Sequence, residues 1–304
     1  MIKKILPIFL IILINMTINI SCKRELILYD KNNQIILHHI EEGQLESLDL
    51  CYYEYGKIEG LDRFKELKKL NLSYNKLTKI EGLDKLTNLI ELDLSNNEIT
   101  KIEGLDKLTN LKKLVLYTNQ ISKIEGLENL TNLEELYLMN NNLIKIERLD
   151  KSTNLKILYL TENKITKIEG LDNLKNLEEL GLDVNSITKI ENLENFVNLK
   201  ELSISVNKIN KIEGLSKLKN LEYLDLNKNK ISKIEGLDNL TNLKKFYISD
   251  NKLTKIEGLD NLKNLQELHV EGNKITKEEY EKSKKKYNWV KFDPKVNIKI
   301  NSVD

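Results

Sequence analysis

The chain is 304 residues long, with 48 basic against 47 acidic side chains and a formal charge of +1. So even a balance excludes a protein built chiefly to neutralise phosphates, which would carry a basic excess. Charged residues make up 31 % of the chain and alternate finely in sign, as in the recurring Lys-Ile-Glu, which describes a solvated surface and excludes a charged binding tail.

At the N-terminus, Lys3 and Lys4 precede an apolar run from Ile5 to Ile14. The run is about half of the ~20 residues that a membrane-spanning helix needs. Asn15, Thr17 and Asn19 make the following stretch more polar. This is the pattern of a secretory signal peptide over residues 1–21. It closes on Ile18-Asn-Ile-Ser21-Cys22, which resembles the lipobox of bacterial lipoproteins, although Asn19 stands where that family prefers leucine. The resemblance implies cleavage before Cys22, lipidation of Cys22, and attachment to the membrane of a bacterial envelope, at the outer membrane or cell surface. A chain that is not exported would instead be cytoplasmic. Cys51 is the other of the two cysteines, so no disulfide framework is expected.

Residues 22–44 are expected to hold the lipid anchor site and an N-terminal cap. Leu26 and Leu28 fall on repeat positions 4 and 6 if the register described below is run back one unit. Glu25–Asp30 and Gln34–His39 read as strand-like.

From Leu45 a 22-residue unit repeats without insertion or deletion, restarting at Leu67, Leu89, Leu111 and onward to Leu243, with a partial eleventh unit at Leu265. Residues 45–275 therefore form one array of ten full units and a partial eleventh. Apolar residues occupy positions 1, 4, 6, 11, 14, 17 and 20 of the unit. The Leu-x-Leu step at positions 4 to 6 is strand-like, and the three-residue spacing from 11 to 20 suits tight turns or short 3₁₀ pieces. One unit cannot bury seven apolar side chains alone, so stacked units must share a continuous core. Asparagine recurs at position 9, from Asn75 to Asn273, with Tyr53 in its place in the first unit. A buried amide there satisfies backbone groups where the chain turns off the strand, so these are structural asparagines.

This pattern resembles the leucine-rich-repeat family, Leu-x-x-Leu-x-Leu-x-x-Asn-x-Ile. It is similar to the 22-residue subclass found in protein phosphatase 1 regulatory subunit 7 and bacterial internalins, and the Lys-Ile-Glu-Gly-Leu-Asp segment is nearest the phosphatase regulator. The resemblance implies an α/β repeat solenoid: a curved leucine-rich-repeat array with one short parallel strand per unit on the concave side, and mostly turns and 3₁₀ on the convex side. Functions on this fold are diverse, so the resemblance speaks to fold more than to task.

Residues 276–304 read as a C-terminal cap of helix, strand and tail. Thr276-Lys-Glu-Glu279 is a capping box opening a helix over residues 277–286, and Asn288–Phe292 is expected to lay a last strand across the open end. Trp289, Val290 and Phe292 then act as lids.

No catalytic or metal-binding motif is present. His38 and His39 are adjacent, His269 is remote, and together they lack metal-ligand spacing. The many carboxylates recur identically from unit to unit, whereas a catalytic constellation breaks symmetry. The chain is read as no enzyme, with no cofactor and no metal.

Symmetry breaks in two places. On the turn side, Arg148 and Asn192 replace the recurring glycine, and Ser152 and Phe196 replace the leucine of position 20. On the strand side, positions 3, 5 and 7 vary freely. Val115, Tyr137 and Tyr159 hold position 5 in three consecutive units, beside Tyr117 and Met139 at position 7 and Ile157 at position 3. They are expected to merge into one exposed aromatic-apolar patch for a protein partner, rimmed by Glu135, Glu162, Glu179 and Asp183. Tyr223 and Tyr247 form a second, smaller cluster. Lys69, Lys113 and Lys245 alternate with acids on this face, which argues against nucleic acid. The expectation is a monomeric protein-binding module tethered to a membrane through Cys22.

Overall fold

The computed structural model describes residues 24–30, 34–40 and 45–292. The signal segment and Cys22 lie outside the described residues. Each repeat unit contributes one three-residue strand at positions 3 to 5. These are β3 (Ser47–Asp49), β5 (Lys69–Asn71), β6 (Glu91–Asp93), β7 (Lys113–Val115), β8 (Glu135–Tyr137), β9 (Ile157–Tyr159), β10 (Glu179–Gly181), β11 (Glu201–Ser203), β12 (Tyr223–Asp225), β13 (Lys245–Tyr247) and β14 (Glu267–His269). Together with β15 (Lys291–Phe292) they form one parallel sheet of 12 strands in sequence order. Equivalent positions pair without slippage, so that Leu136, Leu158 and Leu180 stand in register. At ~4.8 Å per strand the sheet runs roughly 50 Å. The fold is a solenoid with little helix.

The seven apolar positions fill its interior. In the sixth unit Leu155, Leu158, Leu160, Ile165, Ile168, Leu171 and Leu174 are at most 1 % exposed. The turn side is built from consecutive three-residue hydrogen bonds, such as Leu86 N–H to Leu83 C=O at 2.9 Å and Leu89 N–H to Leu86 C=O at 3.0 Å. Among the described residues one such turn tightens into a 3₁₀ helix, Leu61–Arg63.

The position-9 asparagines clamp neighbouring rungs. Asn141 donates from Nδ2 to the carbonyls of Leu138 and Met139 in its own unit, each at 3.1 Å, and of Leu116 in the unit before at 2.9 Å. Its Oδ1 accepts the N–H of Ile121 at 3.0 Å. A second asparagine column, at position 22, had no role assigned from the sequence. There Asn132 Nδ2 donates to Thr109 C=O at 2.9 Å, and the same bond recurs along the array at the surface. Also missed was the left-handed backbone at position 8 of every unit, from Tyr52 (φ 65°) through Val184 and Val206 (both φ 52°). Asn96, Asn140 and Asp250 are the residue types that signal such a position, while valine and tyrosine conceal it.

The turn glycines are needed sterically. Gly126 has φ +68°, and a Cβ there would meet the Ile102 carbonyl oxygen. Asn192 occupies the equivalent place at φ 59° and turns the conflict into a bond, its Nδ2 donating to Ile168 C=O at 2.7 Å.

Ser152 is another departure on this side. It is 1 % exposed at a leucine position, and its hydroxyl has no partner. Ser152→Leu is expected to stabilise the chain by about 1–2 kcal/mol, because it fills the core and removes an unbonded polar atom. A thermal melt checks it; an unchanged or lower midpoint would mean the site is closed to a larger side chain.

At the C-terminal end the helix forms over the expected residues, as α1 (Lys277–Lys286), with the Thr276 hydroxyl accepting the Glu279 N–H at 3.2 Å. β15 extends the main sheet beside β14. Val290 and Phe292 are buried as lids, and the Trp289 indole donates to Leu262 C=O at 3.2 Å.

The N-terminal end departs from the extended repeat register. β1 (Arg24–Asp30) and β2 (Ile35–Ile40) are strands, but they do not add a parallel rung. They form a separate antiparallel sheet in the order β2-β1-β4, where β4 (Tyr55–Glu59) is the flank of the first unit. The reason is geometric: that flank has no preceding unit, so its backbone groups take an antiparallel partner.

Candidate functional site

The strand side carries the aromatic and apolar residues expected to form a partner surface, at unit positions 3, 5 and 7. Because side chains alternate along a strand, position 4 points into the core and positions 3 and 5 point outward, giving a half-buried, buried, half-buried pattern in β8, β9 and β12. Register aligns Val115, Tyr137, Tyr159 and Gly181 in one row. Ile157 lies between Glu135 and Glu179 in the row beside it.

The patch is less exposed than expected. Val115 is buried at 8 % exposure, and Tyr137, Tyr159 and Ile157 are half-buried, as are Tyr117 and Met139 at position 7. The rings of Tyr137 and Tyr159 tilt against each other with centroids 5.6 Å apart. Tyr159 leans across the next rung, into space that a Cβ at Gly181 would occupy. A glycine in an outward strand position was the available signal for this lean.

The acids expected as a rim take three different places. Glu135 and Glu179 are hydrogen-bond acceptors within the patch: Tyr137 OH donates to Glu135 at 2.9 Å, and Tyr159 OH to Glu179 at 2.5 Å. Burial first, then these carboxylates, push both phenols well above the ordinary tyrosine range, so both remain donors. Asp183 accepts from Ser203 Oγ at 2.5 Å and from Ser205 N–H at 2.7 Å. Glu162 stands apart, exposed at position 8. On the other side, Lys113 Nζ lies 5.1 Å from the Tyr137 ring centroid and 2.9 Å from Glu135. A shallow hollow of about 260 Å³ adjoins, over Asp49, Asn71, Asp93 and Val115.

The rings of the second cluster extend to His269. Tyr223 and Tyr247 meet edge to face at 5.3 Å, and Tyr247 packs on His269 at 4.4 Å. Beside them burial raises the Asp225 carboxyl above the usual range, with nearby Asp183 adding to it. Burial likewise raises Glu201, followed by Glu179 and Glu222. The fold thus favours the protonated forms. Its penalty is absent below the ordinary carboxylate range and grows as pH rises through it. Asp225→Asn keeps the bond from Asn227 N–H and is expected to raise the melting midpoint at pH 7, with the gain fading toward pH 4. A pH-independent change would contradict this cause.

Among the described residues no group of three or more histidine, cysteine, aspartate or glutamate side chains is placed to hold a metal ion, and no helix is long and apolar enough to cross a membrane. The largest exposed apolar side chains stand off the predicted patch: Tyr52 (68 % exposed) stacks on Tyr74 (40 %) at 4.1 Å near the first rung, and Ile144 (58 %) lies on the turn side.

Five consecutive stretches, 65–107, 109–151, 153–195, 197–239 and 241–280, match a family model described as leucine-rich repeats in two copies. No curated protein matches the chain. Among solved structures, it is similar to an internalin of Listeria monocytogenes, with a TM-score of 0.66 and 29 % identity over 81 % of this chain and 79 % of that one. A leucine-rich-repeat protein of Leptospira interrogans gives a TM-score of 0.66 and 28 % identity over 77 % of this chain and 68 % of that one. A Listeria monocytogenes functional domain with a cysteine ladder gives 0.61 and 26 % identity, over 77 % of this chain and 55 % of that one.

Proposed function

The chain belongs to the leucine-rich-repeat family, and from that premise we propose that it is a non-enzymatic module holding a protein partner on its strand face, the concave side of curved family members. Modules of this family are in general protein-interaction modules. The observation that carries the reading is the contrast between the two sides. The turn side repeats nearly unchanged, while the strand face concentrates its differences into a tyrosine pair with fixed donors and acceptors. Half-buried tyrosines suit a partner surface, since little ordering cost remains when they are covered.

We further propose that the module is tethered at the bacterial envelope through lipidated Cys22 and acts as a monomer. Labelling with radioactive palmitate, lost on Cys22→Ala, tests the tether. A soluble product retaining Met1 would overturn it and favour a cytoplasmic regulatory subunit of the phosphatase type.

The partner site is tested by capture on the immobilised chain, compared with Tyr137→Ala combined with Tyr159→Ala. The double variant is expected to melt cooperatively yet bind about thirtyfold or more weakly, as loss of one hot spot of about 2 kcal/mol dictates. Equal retention by a folded double variant would overturn the site.

A further inference from the structure

The strand face is electrically uneven. On rungs β5 to β8 its lysines are matched: Lys69 pairs with Glu91 at 2.7 Å and Lys113 with Glu135 at 2.9 Å. From β10 to β14, positions 3, 5 and 7 hold Glu179, Asp183, Glu201, Asp225, Glu267 and Glu271 against one lysine, Lys245, and the imidazole of His269. Along the adjoining edge, Lys200 and Lys244 are already paired with Glu178 and Glu222, each at 2.6 Å. Lys245 pairs with Glu267 and the His269 imidazole faces Glu271, each at 4.0 Å, so Glu179, Asp183, Glu201 and Asp225 are the acids left without a cationic side chain among the described residues.

Two polar groups there are left incomplete. Ser249, at position 7 of the β13 rung, is 4 % exposed and its hydroxyl has no hydrogen-bond partner. One carboxylate oxygen of Glu271, at position 7 of the next rung, is likewise buried without a partner. Aromatic surface lies alongside, in Tyr223 and Tyr247. The chain shows on its other half what such a combination holds: Lys113 sits over the Tyr137 ring while bonded to Glu135.

Resting on the proposed strand-face site, we infer that its C-terminal half, β10 to β14, receives a basic extended segment of the partner, with arginine or lysine side chains lying between the carboxylates and the tyrosine rings. Charge complementarity selects this occupant. The carboxylates are spread along five rungs, roughly 19 Å, and among the described residues they do not converge into a metal site. That spread suits a row of separate cations. A six-residue extended segment covers about the same length, ~20 Å. The fold also raises the Glu201 and Asp225 carboxyls against its own stability, as groups kept for an external counter-charge would be.

The test is titration of the full chain with a fluorescent hexa-arginine peptide, capped at both ends. Asp183→Asn with Glu201→Gln and Asp225→Asn is expected to raise Kd about tenfold or more. The same charge change on the turn side, Glu103→Gln with Glu169→Gln and Glu257→Gln, is expected to leave Kd within about twofold. Equal losses in the two triple variants, or none in the first, would overturn the inference. So would displacement of the peptide by calcium chloride beyond that by sodium chloride at equal ionic strength, which would assign the acids to a divalent cation. If capture of the natural partner depends on Tyr137 and Tyr159 but ignores the strand-face triple variant, the proposed site stands and the basic segment alone is refuted.

Discussion

Replacing Asn141 by aspartate is expected to destabilise the array by about 3–5 kcal/mol. The change is nearly isosteric, so the effect isolates hydrogen bonding. Asn141 is 7 % exposed, and its amide nitrogen serves three carbonyls in two units. A carboxylate offers no donor to those oxygens and would face them with a buried negative charge, while still accepting the Ile121 N–H. Asn141→Ala is expected to cost less, about 2–4 kcal/mol, since it leaves groups unbonded without adding a charge. Asn132→Ala, in the exposed second column, is expected to cost under about 1 kcal/mol because water replaces its single bond. Urea unfolding of the three variants checks the ranking. An aspartate variant as stable as the parent would remove the clamp from the account.

Leu158→Ala is the second large effect, expected at about 2–5 kcal/mol. Leu158 is fully buried in β9, in register between Leu136 and Leu180, so the cavity opens at a junction of three rungs. Each unit of a solenoid is held by its neighbours alone, and a cavity in the middle weakens the coupling of the two halves. The unfolding transition is therefore expected to broaden as well as shift. A loss below about 1 kcal/mol with an unchanged slope would show that the rung closes over the gap.

What was legible in the sequence is what repeats. Each apolar position serves the same purpose in every unit, so spacing defined a stacked array with one shared core, the family resemblance implied the solenoid, and Thr276 marked the start of α1. The N-terminal sheet was not legible, because nothing in the strand pattern of residues 24–40 states which free backbone edge it will join. Two strand-like stretches were expected there, but not their direction, and the flank of the first unit is the edge that they pair with. The tyrosine rows were correctly placed on the strand face, but their burial was not foreseen. It depends on the neighbouring rung, where Gly181 admits the Tyr159 ring, and on Glu135 and Glu179 acting as acceptors instead of as a rim. The acidic excess of β10 to β14 was present in the same residues, yet it emerges only when they are sorted by the face they share.

The most direct test of the strand face as the binding side is carboxyl footprinting of the chain with its captured partner. Carbodiimide labelling is expected to fall at Glu91, Glu179 and Glu201 on the strand face, and to continue undiminished at Glu103, Glu169 and Glu257, which are exposed on the turn side. Protection of Glu103, Glu169 and Glu257, with the strand-face acids still labelled, would contradict it.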